Sequence, residues 1–195
     1  ATAAIYSGFP DVVEQTINLN FLNACETLMK SDVFNRIHAM TDVTNGGLRG
    51  DVYEMAETAN CRIVIDESAT TTLVEPHVRA MLEKLQIDYL GVSLDALLIV
   101  APPDAAAEIC RVVETAGVRM HQVGYVEAGK PESVLLMDGK ECDFTPRFRE
   151  SAYTPVKKVV DTDSRDFETM KEGVLHAAEA ALQKKERVLK RLQKK

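Results

Sequence analysis

Apolar residues recur at helical spacing through residues 11–30. Val13, Ile17, Phe21 and Leu28, with the small Ala24–Cys25 step, fall on one stripe, and Pro10 stands where a helix entry tolerates it. The pattern predicts one helix there. A short apolar run, Ile37–Met40, predicts a strand, and "TDVTNGG" (41–47) interrupts the pattern. Helical spacing returns over 48–59, with Leu48, Val52, Met55 and Ala59 on one face. The β-branched "CRIVIDES" (61–68) predicts a strand, and 74–86 a helix burying Val78, Met81, Leu82 and Leu85. "DALLIVAPP" (95–103) is a continuous apolar run closed by two prolines, which predicts a buried strand. A helix over 104–116 ends at Gly117, the position where a left-handed cap is usual. A strand is expected over 118–129, then a hairpin over 133–144 turning at Asp138–Gly139. Residues 145–160 carry two prolines and read as an extended strap. A last helix from about Asp166 to Leu192 is expected to be capped by Ser164 or Asp163 and to bury Phe167, Met170, Val174 and Leu175.

This order predicts an α/β (α+β) fold, with helices packed on a mixed sheet. No internal repeat appears. The segmentation expected is one domain over 1–160 and a helical extension over 161–195 with a basic end.

Composition narrows the function classes. The chain has 195 residues, 46% of them hydrophobic, enough for a sizeable core. No run of about 18 apolar residues exists, so no membrane span is expected. The first ten residues do not read as a secretory signal. They lack an initiating Met, so the chain is expected to be a processed product or a piece of something longer. Residues 183–195 hold seven Lys/Arg and one Glu; with −7 in all and +6 on this tail, the body carries −13. An acidic body argues against nucleic-acid binding, and the basic tail reads as a solvated helix end. Cys25, Cys61, Cys110 and Cys142 form no CxxC pair. Cys25 and Cys110, in apolar helical patterns, read as buried reduced thiols of a cytoplasmic protein. His38, His77, His121 and His176 lack zinc-site spacing, and His38 reads as a core residue.

The interruption at 41–47 carries the chemistry. Adjacent glycines between a strand and a helix let backbone N–H groups converge at the positive end of the helix dipole, which favours an anion. An acid there cannot hold the anion itself. Asp42 is therefore read as a ligand for magnesium or for a substrate hydroxyl or amine, or as the cap of the next helix. Thr41, Thr44, Asn45, Gly46, Gly47 and Arg49 make up the candidate phosphate- or substrate-binding loop, with Arg49 able to meet a phosphate bidentately. The same residue types also make ordinary turns. Walker A and GxGxxG patterns are absent. Asp95, at the start of the "DALLIV" strand, is a further cleft candidate. Asp66 and Glu67 at a strand end, and Arg147, Arg149 and Glu150 in the strap, read as solvated.

"TDVTNGGLRGDVYEMAE" (41–57) resembles the Asp-x-Thr-x-Gly-Gly-Leu…Glu-Met-Ala signature of the C-terminal domain of the aminoimidazole ribonucleotide (AIR) synthetase superfamily. That superfamily includes selenophosphate synthetase, thiamine-monophosphate kinase and a hydrogenase maturation dehydratase. "LDALLIVAPPDAAAEICRVVETAGVRMHQVGYVEAGK" (94–130) resembles its strand–Pro-Pro–helix–Gly–strand segment, and the likeness covers roughly residues 11–138. The resemblance implies a second, N-terminal domain that binds most of the ATP and Mg2+ and forms a homodimer. It implies a small-molecule substrate activated by phosphoryl transfer. It places Asp42, Thr44, Gly46 and Gly47 on the cleft, with Asp42 as catalytic and metal-binding residue. This chain would then be inert alone. The family's Ser-Gly turn before the strand at 95–101 is replaced here by "LGVSLDA" (90–96). The chain ends in Lys194–Lys195, not in the substrate-carrying Cys of the hydrogenase maturation factor. A non-catalytic assembly module docking through the basic helix is the alternative.

Overall fold

The computed structural model describes residues 4–5, 7–15, 18–146 and 166–193. In chain order the elements are α1 (Pro10–Gln15), α2 (Asn20–Met29), β1 (Ala39–Val43), α3 (Gly47–Ala59), β2 (Arg62–Asp66), α4 (Glu67–Leu73), α5 (Pro76–Lys84), β3 (Ala96–Val100), α6 (Pro103–Glu114), β4 (Gly124–Glu127), β5 (Glu132–Met137), β6 (Lys140–Asp143) and α7 (Phe167–Leu192). Short 3-10 turns occur at Asp32–Arg36 and Tyr89–Gly91. The mixed α/β class expected from the pattern is the one observed. The strap and its Arg147, Arg149 and Glu150 lie outside the described residues.

The chain divides into two compact units. One holds α2–α4 and all the strands together with α6. A four-stranded mixed sheet runs in the order β4-β2-β5-β6, with β2 parallel to β5 and the other pairs antiparallel. The β2 sequence "RIVID" is β-branched at its centre and pairs on both sides, so Ile63, Val64 and Ile65 are all buried. Ile63, Ile65 and Leu135 pack with Val52 and Ala56 of α3, Leu90 and Phe144. The β5–β6 hairpin turns at Asp138–Gly139, both at positive φ (50° and 74°), as a two-residue primed turn requires. At one end of the sheet Arg62 of β2 meets Glu127 of β4, Glu132 of β5 (2.7 Å) and Glu141 of β6 (2.7 Å).

A second core lies between α2 and α6. Ala105, Ile109 and Val113 recur every four residues on α6 and meet Ala24 and Leu28 of α2 and Val33. Leu97 and Ile99 of β3 pack against this cluster. Among the described residues strand β3 pairs only with β1, in a two-stranded antiparallel sheet, so residues 97–100 are half-buried and Ala96 is exposed, rather than buried as the apolar run predicted.

The other unit holds α1, α5 and α7. Helix α1 packs against both α5 and α7, and Val12, Val13, Met81, Leu82 and Ala177 are buried.

Several expectations are corrected. The helix predicted over 11–30 is interrupted, since Asn18 and Leu19 are not helical. The strand predicted at 37–40 sits at Ala39–Val43, two residues later. A helix forms at 67–73 where none was predicted, and the strand expected over 118–129 is confined to Gly124–Glu127. On α3 Val52 is buried as expected, but its neighbour in the core is Ala56, while Ala59 is exposed. His38 is exposed rather than in the core. None of the four thiols is buried: three are half-buried and Cys142 is exposed. Asp166 caps α7, accepting from the N–H groups of Glu168 and Thr169. Phe167, Val174 and Leu175 are exposed. The inner face of α7 is instead centred on the small Ala177.

Candidate functional site

The β1–β3 ribbon sets the geometry around Asp42. Its register pairs Thr41 with Leu98, Asp42 with Leu97 and Val43 with Ala96. Side chains alternate, so Val43 is buried while Asp42 faces solvent. Asp95, at φ 58°, immediately precedes Ala96 and therefore reaches the same ribbon end as Thr44. The Ser93 hydroxyl donates to the Val43 carbonyl at 3.1 Å and ties the returning chain to that end. Thr41 is half-buried, and its hydroxyl donates to the Asp42 carbonyl at 3.2 Å. Thr44 and Asn45 are exposed.

The Gly46–Gly47 pair makes the turn from ribbon to helix. Both residues are left-handed, with φ of 98° and 63°. The Gly47 N–H donates to the Thr44 carbonyl (3.0 Å) and the Gly50 N–H to the Gly46 carbonyl (3.1 Å). Gly47 is also pressed against the backbone of 90–92: a Cβ there would stand 2.5 Å from the Leu90 carbonyl oxygen and the Val92 nitrogen. Gly46 occupies the N-cap of α3 without any side-chain cap, so Asp42 does not serve as the cap.

Arg49 is 7% exposed, and its guanidinium lies 4.8 Å from the centroid of the Phe144 ring. The structure gives it a packing role against Phe144 in the core. Asp66 and Glu67 are engaged within and beside α4. Asp66 caps it, accepting from Ala69 N–H (3.2 Å) and the Ser68 hydroxyl (2.6 Å), and these bonds hold its carboxyl below the usual range. Glu67 accepts from the Tyr89 hydroxyl (2.5 Å) and from Thr71 (2.9 Å).

Sequence reasoning missed Asp51. Its carboxylate accepts the Thr44 N–H, reaching back from the helix to the loop. Burial pushes its carboxyl above the ordinary range; the Thr44 N–H opposes this, and the negative charges of Glu54 and Asp42 add to it. Its Oδ2 is buried with no hydrogen-bond partner among the described residues. The signal was available in the spacing. Asp51 lies four residues after Gly47, on the face of α3 that meets the loop. On the other side Cys25 of α2 has its thiol pushed up, first by burial and then by Asp42. Asp42 thus lies within electrostatic reach of both Asp51 and Cys25.

Two carboxylates, Asp42 and Asp51, thus lie within electrostatic reach of each other beside a glycine turn. Among the described residues no cluster of three or more His, Cys, Asp or Glu could hold a metal ion. Two carboxylates match the way Mg2+ is commonly held, by one or two acids with substrate phosphates completing the shell. The unpartnered Asp51 oxygen is the specific observation that fits a cation. Among the described residues no helix is long and apolar enough to cross a membrane.

The family model described as "AIR synthase related protein, C-terminal domain" matches residues 7–136. An uncharacterized protein of Methanocaldococcus jannaschii, MJ1416, is 46% identical over 195 residues, covering 100% of this chain and 42% of that protein. The carbamoyl dehydratase HypE of Rhodobacter capsulatus is 38% identical over 71 residues, 36% of this chain and 20% of that one. A crystal structure of the hydrogenase maturation protein HypE in complex with ATP matches with a TM-score of 0.56 at 20% identity, over 66% of this chain and 40% of that chain. The chain therefore spans less than half the length of the relatives it matches.

Proposed function

Since the chain belongs to the AIR synthase related protein family, as its C-terminal domain, we propose that it forms one wall of an ATP-dependent phosphoryl-transfer site. The observation that carries this reading is the Asp42–Asp51 pair flanking the Thr44–Gly47 turn. Asp42 is exposed and unspent on capping, so it is free to meet a cation. The Gly46–Gly47 turn lets the loop lie tight against the backbone of 90–92, which fixes its shape. Thr41, Thr44 and Asn45 offer hydroxyl and amide groups to a phosphate or a substrate, and Asp95 closes the ribbon end. Asp51 holds the Thr44 N–H and sets the loop's shape. Arg49 packs on Phe144 behind the start of α3.

ATP and Mg2+ are the cofactors of this proposal, bound mainly by an N-terminal half, and the ion would neutralise charge on the transferring phosphoryl group. The substrate is a small molecule, and the full-length protein is a homodimer. The likeness to a HypE crystallised with ATP supports the nucleotide. These residues alone are expected to be inert.

The test is Mg-ATP hydrolysis by the polypeptide that includes the N-terminal half, comparing wild type with Asp42→Ala. Loss of transition-state charge stabilisation predicts a fall of about 100-fold or more. Equal turnover by the two proteins would remove Asp42 from the chemistry and leave the turn a structural one.

A further inference from the structure

Helix α7 presents an apolar stripe that nothing described covers. Leu175, Leu182 and Leu189 recur every seven residues and are 60%, 60% and 46% exposed. Phe167, Val174 and Leu192 flank them, also exposed. The opposite face is already used: Ala177 is buried, and α7 packs there against α1. Heptad leucines on the outer face are therefore surplus to the fold of this unit. Such a seam suits another helix.

Charge selects the occupant. The first part of α7, residues 167–182, carries Glu168, Glu172 and Glu179 against Lys171, a net −2. Residues 183–192 carry Lys184, Lys185, Arg187, Lys190 and Arg191 against Glu186, a net +4. A second copy laid parallel sets basic half against basic half. Laid antiparallel, each acidic half meets a basic half. With Leu182 on the two-fold axis, Leu175 meets the partner's Leu189, and Leu189 the partner's Leu175. Twenty-six residues give a seam about 39 Å long.

We infer that α7 is a homodimerisation helix, pairing antiparallel with α7 of a second copy of this chain through Leu175, Leu182 and Leu189. Pairing of this kind is isologous and closes at two copies.

The test uses the 195-residue chain. Light scattering coupled to size exclusion is expected to show a dimer at about 100 µM, and Leu182→Glu to raise the dissociation constant by at least about 100-fold. Leu182 is exposed, so this variant keeps the wild-type melting curve once dissociated. Orientation is read by mixing the single variants Leu175→Cys and Leu189→Cys, each with the exposed Cys142 replaced by Ser. Antiparallel pairing gives disulfides between the two different variants, whereas parallel pairing links each variant to itself. A wild-type monomer at that concentration overturns the inference. So does a dimer that survives Leu182→Glu, or cross-linking of each variant with itself alone.

Discussion

Replacing Gly47 with Ala tests the close approach that shapes the candidate loop. Two costs act there. The residue sits at φ 63°, and an L side chain in the left-handed region costs about 1–2 kcal/mol. A Cβ would also stand 2.5 Å from the Leu90 oxygen and the Val92 nitrogen, and 2.6 Å from the Gly91 carbonyl carbon. These are backbone atoms that cannot rotate away, so overpacking adds about 1–3 kcal/mol. The expected total is about 2–5 kcal/mol. Gly117 provides the control. Its φ is 75°, close to that of Gly47, but nothing lies within 4 Å of its Cβ position. Gly117→Ala should therefore cost only the dihedral share, about 1–2 kcal/mol. Both glycines belong to the same compact unit, so urea unfolding followed by circular dichroism reads them in one transition. The difference between the two variants isolates the steric contribution. If the two cost the same within about 0.5 kcal/mol, the packing of the loop against 90–92 is refuted.

Asp51→Asn keeps an acceptor for the Thr44 N–H and removes a charge that burial disfavours. The folded carboxyl titrates above its ordinary value of 3.8, so its stabilising contribution is present below that pH and is lost as pH rises through the folded value. Urea unfolding across a pH series should show the Asn variant gaining on wild type as pH rises above 3.8; a difference independent of pH would count against the burial of Asp51. Cys25 offers a probe of Asp42. Burial and then the Asp42 charge disfavour its thiolate, so Asp42→Asn should speed alkylation of Cys25 but not of Cys142, as followed by mass spectrometry; an unchanged Cys25 rate would contradict their proximity.

The elements legible in the sequence were those whose local chemistry and tertiary setting agree. The central "IVI" of β2, helix α6 followed by the left-handed Gly117, and the Asp138–Gly139 turn each formed as expected. β1 was misplaced because its two-residue alternation is written with Thr41 and Asp42, while the apolar Ile37 belongs to the turn before it. α4 was missed because "ESATTTL" has poor intrinsic helix propensity. The Asp66 cap at its start holds it, with Tyr89 on Thr71, Arg119 donating to the Thr72 and Leu73 carbonyls, and His121 against the Ala69 carbonyl. The loop at 41–47 was visible as a motif. Asp51 was passed over although its spacing puts it on the loop-facing side of α3, because its bond to the Thr44 N–H forms only in the fold. The stripe on α7 was seen as apolar but assigned inward, since periodicity marks a face without saying which way it turns.

Arg62 makes assembly of the four-stranded sheet self-checking. It stands on β2, and its carboxylate partners come one each from β4, β5 and β6. Two of those partners lie 65 and 70 residues further along the chain. A slip of one residue in any strand would carry that strand's acid to the opposite side of the sheet. The three bonds use the separate nitrogens of a planar fork, which a lysine ammonium does not reproduce. Arg62 therefore reports on strand order as well as holding it. Its three nitrogens all find carboxylate partners only when each of the three later strands has arrived, in the correct position, beside β2.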